Sequence, residues 1–362
     1  MVTQYGSKRK LSDAVRERQG DLDGIFRCGG DMSTNQASDL PHAMEDVQCM
    51  MVFVAAARWG LLDDLGTGPL TIDEVVTRYG ETAALLVDAM CETGIVERTA
   101  DDSGIVLSAL TPCLENHIRE FAAYLRHKGR VCEALLKVGP KTKRGTQTGQ
   151  IPRTGEEEDY TRAMHFAALR RGLALPDTMD WTSCRNIIDA GCGSGYYSYL
   201  LLSQSDSMTA TLVDYPEILT VTKEYTSSVG LQDRVRLVAC NLLAASPPVS
   251  THHDAALLFS VMHQYCFEEN VAILRNLHEV LEDGARLLIC DYISTETYHN
   301  HQAAAFALLM QAVTPNGQTY TMPEVNAMMA QAGFVVVDSL PADADGLTFV
   351  TCKCIKQGRS KP

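Results

Sequence analysis

The sequence predicts a doubly wound α/β domain preceded by a smaller helical module. Three observations carry that prediction. Seven apolar, strand-like segments (NIIDAG, TATLVDY, VRLVAC, DAALLF, ARLLICDY, FVVVDSL and TFVTCK) follow one another from residue 186, with helical sequence between most of them. The first runs into Asp189 and then into glycines at alternate positions, Gly191, Gly193 and Gly195, before an apolar helix start at Tyr196–Leu202. The last two strands are linked only by Pro341–Leu347, too short for a parallel crossover, so the final strand is expected to run antiparallel.

Composition bounds the rest. With 362 residues, 46% apolar and 21% charged, the chain has the length of about two domains and the material for a packed core. A formal net charge of −14 argues against nucleic acid or an anionic membrane as partner. The 12 cysteines contain no CxxC pair, which suits reduced structural thiols in a cytoplasmic protein. Cys352 and Cys354 alternate with Lys353, as on one buried face of a strand. Lys8, Arg9 and Lys10 are not followed by an apolar run, unlike a signal peptide. The longest apolar stretch, Cys49–Ala57, is too short to span a bilayer.

Four segments are expected. Residues 1–38 are polar and aperiodic and read as loosely ordered. Residues 39–140 form a helical module. Within it, His42–Trp59 is a helix stopped by Gly60. Thr71 with Glu74 is a capping box opening a helix that stops at Gly80, and Thr82–Glu92 stops at Gly94. IVERT and IVLS, with ADDSG between them, form a β-ribbon, so the module is winged-helix-like. Such a module invites a DNA-binding reading. The helix in the recognition position, ETAALLVDAMCETG, carries acids at Glu81, Asp88 and Glu92 and no Lys or Arg, and Asp101 and Asp102 sit at the wing tip; phosphate contact needs cations. Dimerisation through apolar faces such as Met50–Val54, or packing on the second domain, is the alternative. Residues 141–182 read as a linker, KTKRGTQTGQIPRTGEEE, and a following helix; 183–362 form the α/β domain.

A strand–Gly loop–helix is the front edge of a nucleotide-type cofactor site, because glycines let a ligand approach main-chain N–H groups. NAD and S-adenosylmethionine sites share this signal. Four details favour the sulfonium. The spacing is G-C-G-S-G rather than G-x-G-x-x-G. Asp189 is placed to face a cationic methionine moiety. Asp214, 19 residues after Gly195, is placed to accept from ribose hydroxyls. Asn241, at the end of the third strand beside Leu242, offers an amide to an adenine amino group. The antiparallel last strand also suits a methyltransferase better than a dehydrogenase.

On these residues the chain resembles the class I S-adenosylmethionine-dependent O-methyltransferases of the plant caffeate and bacterial natural-product type. The resemblance covers about residues 40–356, through ARWGLLDDL, TIDEVV, LTPCLE, IIDAGCGSG, LVDYPE, FSVMHQY, LEDGARLLICDY, TPNGQTYT and QAGF. It implies a Rossmann-like sheet and a homodimer formed through the helical module. It also implies a methyl donor held by Gly191, Gly193, Asp214 and the Asn241–Leu242 corner. His263 in FSVMHQY falls at the catalytic position. That histidine follows the fourth strand, at the carboxyl end of the sheet where ligands bind, and Asp291 ends the neighbouring fifth strand, placed to hold the imidazole in one tautomer.

The acceptor is expected to be a small molecule bound between the domains. Met164 and His165 match the family's pocket-lining stretch, and Arg162, Arg170 and Arg171 share that helix, either to meet an acceptor carboxylate or as a solvated face. His252–His253 and His299–His301 lack partners at metal spacing, so no metal is expected. The chain also departs from the family. Gln264 and Tyr265 follow the histidine where Asp or His is common, and Thr319 stands near the place of a second acid. Asn241 replaces the usual Asp on the adenine side. Oxygen methylation is the family default. A thioether acceptor, as in dimethylsulfoniopropionate synthesis, has no proton to lose and suits a thinned base. A non-methylating cyclase that keeps the cofactor is the third reading.

Overall fold

The structure, a computed structural model, describes residues 40–100, 106–111, 114, 116–137, 156–171, 175, 180–181, 183–294, 301–341 and 346–356. The expected loose segment 1–38, most of the expected linker, the wing-tip acids Asp101 and Asp102, and His299 lie outside them. The described residues fall into two compact units, a helical one within 40–130 joined by 162–170, and a sheet unit from Arg171 onward joined by 131–137 and 156–161.

The helical unit contains α1 (Leu40–Trp59), α2 (Leu61–Leu65), β1 (Leu70–Thr71), α3 (Ile72–Tyr79), α4 (Thr82–Glu92), β2 (Val96–Ala100) and β3 (Val106–Leu110), with most of α5 (Ile118–Leu136) and α6 (Glu157–Arg171). The stop signals act where the sequence puts them. Gly60 is left-handed at φ 82° between α1 and α2. Thr71 and Glu74 form the capping box of α3, Thr71 Oγ1 accepting from the Glu74 N–H and the Glu74 carboxylate accepting from the Thr71 N–H. The three strands pair antiparallel in the order β1-β3-β2, which completes the winged-helix-like arrangement. Met50 and Met51 on α1 and Leu85 on α4 stay exposed, the last at 68%.

The sheet unit runs β4 (Asn186–Ala190), α7 (Tyr196–Gln204), β5 (Thr209–Asp214), α8 (Pro216–Ser228), β6 (Val235–Ala239), β7 (His253–Phe259), α9 (Phe267–Glu279) and β8 (Leu281–Ser294). Then come α10 (His301–Val313), β9 (Tyr320–Thr321), α11 (Met322–Ala332), β10 (Phe334–Pro341) and β11 (Leu347–Cys354). Strand order is β10-β11-β8-β7-β4-β5-β6, with β9 pairing separately on β8. β4, β5, β6, β7 and β8 are parallel, and β11 runs antiparallel to both β8 and β10. The short 341–347 link produces this last reversal, as its length requires.

Alternation along the strands sorts the core into two layers. Ile188, Ala256, Leu258 and Ile289 face Leu274 and Leu277 of α9 and Met328 and Met329 of α11. Ile187, Ala255, Leu257 and Leu288 face Tyr199, Leu201 and Leu202 of α7 and Leu219 of α8. Cys352 and Cys354 are fully buried while Lys353 between them is exposed. The chain leaves β4 toward β5 and β6, then returns on the other side of β4 as β7. The crevice above the carboxyl ends of β4 and β7 is therefore the topological switch point, where open α/β sheets bind ligands.

Candidate active site

The segments that follow β4, β5, β6 and β7 lie at the carboxyl end of the sheet. The first, after β4, turns on Gly191, Gly193 and Gly195 at φ of 74°, 52° and 83°, all in the left-handed region that only glycine enters without strain. Two of these glycines are also required for space. A Cβ on Gly191 would lie 2.6 Å from Val261 Cγ2, and one on Gly195 would lie 2.5 Å from Tyr199 Oη. At Gly193 nothing lies within 4 Å, so this part of the loop borders open space. That opening, with backbone amides of a loop leading into a helix N-terminus, fits the nucleoside and methionine parts of a methyl donor.

The loop is held from both sides. The Asp214 carboxylate, at the end of β5, accepts from the Gly193 N–H at 2.9 Å and the Tyr215 N–H at 2.8 Å. Thr222 Oγ1 donates to the Gly193 carbonyl at 2.7 Å. A carboxylate offers about four acceptor sites, so Asp214 can take ribose hydroxyls while keeping these two bonds. Asp189 lies beneath the loop, 3% exposed, where its carboxyl accepts from Ser198 Oγ at 2.7 Å. Burial pushes its pKa up to about 7, against the lowering pull of the Ser198 hydroxyl and with a further rise from Asp214. Cys192 is buried between the glycines and its thiol is held well above the ordinary range by the same desolvation.

At the end of β6, Asn241 is exposed and Leu242 buried. Asn241 Oδ1 accepts from the Leu243 N–H at 3.0 Å, which leaves the amide nitrogen without a hydrogen-bond partner among the described residues. Because an amide oxygen carries two lone pairs, Oδ1 can hold the Leu243 N–H and still accept from an amino group, while the outward –NH2 can meet a base acceptor.

The turn after β7 carries His263. Ser260 opens it at φ 55°, the one non-glycine residue with positive φ among the described residues. His263 Nδ1 lies 2.7 Å from Asp291 Oδ1, and the same carboxylate accepts from the His263 N–H at 3.3 Å and the Tyr292 N–H at 2.8 Å. Because a carboxylate only accepts, the neutral ring is fixed as the Nδ1–H tautomer with its lone pair on Nε2. Nε2 has no hydrogen-bond partner among the described residues, and the side chain keeps 10% exposure. Phe306 of α10 packs edge-on to the imidazole at 5.0 Å, and Tyr292 stacks on Phe306 at 3.8 Å. The close approach of Gly191 to Val261 sets this turn directly against the glycine loop.

The other residues singled out in the sequence are divided between the two units. Arg162, Met164 and His165 belong to the helical unit, and Arg162 is buried with its Nη1 3.9 Å from Glu120 Oε1 of α5. Arg171 belongs to the sheet unit, where its Nη2 donates to Tyr292 Oη at 2.9 Å. Thr319 is buried and its hydroxyl donates to the Ala303 carbonyl, so it places no second acid on the dyad. His253 is buried between Val280 and Thr211. Among the described residues no group of three His, Cys, Asp or Glu side chains is arranged to hold a metal ion. Ser198, Thr222, Tyr292 and Phe306 were not singled out by sequence reasoning. Thr222 and Phe306 act on residues far along the chain, Ser198 and Tyr292 on residues nearer by, and no local pattern marks any of them.

The fold and site together define a class: a doubly wound sheet with an antiparallel last strand, a glycine loop at its switch point and a buried His–Asp pair beside that loop. Residues 155–335, half of the chain, match the O-methyltransferase domain family, and the chain belongs to that family. It is a methyltransferase of the S-adenosylmethionine-dependent class. It is similar to a 3-hydroxy-5-methyl-1-naphthoate 3-O-methyltransferase of Streptomyces sahachiroi, with 22% identity over 294 residues covering 77% of this chain and 84% of that protein. It is also similar to the aclacinomycin 10-hydroxylase RdmB of Streptomyces purpurascens, with 25% identity over 320 residues covering 83% and 84%. The fold matches the crystal structure of human N-acetylserotonin methyltransferase in complex with S-adenosylmethionine at a TM-score of 0.67, with 16% identity and coverage of 90% of this chain and 100% of that one.

The raised Asp189 carboxyl predicts a pH signature. An acid whose folded pKa lies above its unfolded value of 3.8 stabilises the fold below that value, and the contribution is lost as pH rises through about 7. Thermal unfolding of ligand-free Asp189→Asn compared with wild type should therefore show a difference that moves in the variant's favour by several degrees between pH 5 and pH 8. A difference independent of pH would show that Asp189 is not held protonated by burial.

Proposed function

We propose that this enzyme methylates a hydroxyl on an aromatic ring of a small natural-product-type molecule, with His263 as the general base. The observation that carries the reading is the 2.7 Å His263–Asp291 pair in the turn that abuts the glycine loop. The donor supplies an electrophilic methyl group on a sulfonium. Gly191, Gly193 and Gly195 let its backbone-facing side approach, Asp214 takes the ribose, and the Asn241–Leu242 corner takes the base. His263 Nε2 removes the acceptor's hydroxyl proton as the oxygen attacks the methyl carbon. Asp291 holds the ring in the tautomer that can do so and stabilises the imidazolium that forms. The remaining acceleration comes from holding oxygen, methyl and sulfur in line.

The Streptomyces sahachiroi relative named for a hydroxynaphthoate supports an aromatic acceptor, as does Phe306 against His263. A thioether acceptor would leave the dyad without a task. The relative named as a 10-hydroxylase keeps open a reading in which the cofactor is bound without methyl transfer. That reading predicts no S-adenosylhomocysteine during turnover. Arg162, Met164 and His165 remain our assignment for the acceptor side. We further read residues 39–140 as the dimerisation domain, supported by the exposed Met50 and Met51 on α1. No helix among the described residues is long and apolar enough to cross a membrane, and the described cysteines are free thiols, which supports a cytoplasmic enzyme.

Two tests follow. With a panel of phenols and hydroxyaryl acids, wild type should release S-adenosylhomocysteine; His263→Ala should lose about 10²–10⁴ in kcat, while calorimetry shows S-adenosylhomocysteine still binding. Wild-type kcat in that variant, or no methylation of any acceptor on the panel, overturns the base reading or the aromatic acceptor, respectively. For the dimer, light scattering should give twice the chain mass for wild type and a shift toward the monomer for Met50→Glu/Met51→Glu. A monomeric wild type contradicts it.

A further inference from the structure

Several carbonyls of the turn that carries His263 are held by groups from beyond it. The His263 carbonyl accepts from the Gln318 N–H at 2.9 Å. The Met262 carbonyl accepts from Asn270 Nδ2 at 2.9 Å, and the Tyr265 carbonyl from Tyr320 Oη at 2.5 Å and Asn270 Nδ2 at 3.3 Å. The Ser260 carbonyl is different. Its residue is the strained one, at φ 55°, and the side chain bonded to it comes from within the turn: Gln264 Nε2 donates to it at 3.1 Å. A serine in the left-handed region is less stable than in its ordinary conformations, so it persists only where its surroundings hold it. Here the Ser260 N–H is tied to the Cys290 carbonyl at 2.8 Å, and Gln264 closes the other end.

The geometry points to Gln264 as a positioning residue: its amide donates to the Ser260 carbonyl, keeps the strained turn closed, and so aims His263 at the acceptor. The inference rests on His263 acting as base, as proposed above. It explains the residue type at position 264. An ionised carboxylate cannot donate to a carbonyl, whereas an amide can. Gln264 thus does not stand in for an acid of the base machinery; it acts one step away, on the backbone that presents the base. Because the bond compensates strain at a single residue, removing the strain should make the bond dispensable. Glycine adopts positive φ as readily as negative, so Ser260→Gly is the change that does this.

The experiment measures kcat with the best acceptor of the panel, and S-adenosylhomocysteine Kd by calorimetry. Gln264→Glu keeps the size and loses the donor; Gln264→Leu loses the donor without adding charge. Both should lower kcat about 10–100-fold, the scale of a misplaced catalytic group, with Kd unchanged. Adding Ser260→Gly to Gln264→Leu should return most of the lost kcat. In a His263→Ala background, Gln264→Leu should cost nothing further. The inference is overturned if both Gln264 variants keep wild-type kcat, if Ser260→Gly gives no recovery, or if donor affinity falls in step with rate. Wild-type kcat in His263→Ala, by contrast, removes the base role itself, whatever the Gln264 variants do.

Discussion

Everything at this site depends on one close approach: the missing Cβ at Gly191 lets the glycine loop lie against Val261, where a side chain would sit 2.6 Å from a methyl group. The two segments belong to the ends of adjacent parallel strands, β4 and β7, and the chain reverses direction across the sheet between them. That reversal opens the crevice. Glycine then narrows it enough to bring the glycine loop against the turn that carries His263, the contact on which the proposed methyl transfer relies. A larger residue at 191 would push the turn away and clash in a backbone conformation that it could not itself adopt.

Given that contact, the rest is an arrangement of acceptors. Three carboxyls lie on β4, β5 and β8 toward the carboxyl side of the sheet, each with different partners. Asp214 takes two main-chain N–H groups and remains half-buried. Asp189 is sunk beneath the loop, where desolvation favours its protonated form and its bond to Ser198 ties β4 to α7. Asp291 accepts from an imidazole and two main-chain N–H groups, so its place is over-determined and the histidine inherits that rigidity. Depth of burial and the donors that reach each carboxyl, more than residue type, distinguish the three.

How much of this could be read in the sequence follows from distance along the chain. The glycine loop, the capping box at Thr71 and the stop at Gly60 are local demands on φ or on unsatisfied N–H groups, so they leave local marks. The antiparallel last strand was legible from the length of one link. His263 was legible because it follows β7 at the carboxyl end of the sheet, and Asp291 because it lies on the neighbouring β8, although that strand does not end there as expected but runs on to Ser294, where β9 pairs with it. The clamp on the turn was not: Asn270, Gln318 and Tyr320 reach back across the turn from α9, the segment after α10 and β9, and no periodicity records such a meeting. Nor was the fate of Arg162, which pairs with Glu120 some forty residues earlier. Asn241 shows a subtler gap. Its position was evident, but which end of its amide is spent on Leu243 became visible only in the folded turn.

In the proposed reaction His263, set by Asp291, removes the acceptor's proton. A series of substituted phenols of graded acidity, methylated by wild type and by His263→Ala, tests it most directly. A base role gives a large deficit in the variant for weakly acidic phenols that shrinks steeply as the acceptor becomes ionised at the assay pH, because an acceptor already deprotonated needs no base. A deficit of the same size for every acceptor, ionised or not, would contradict it and leave His263 a binding residue only.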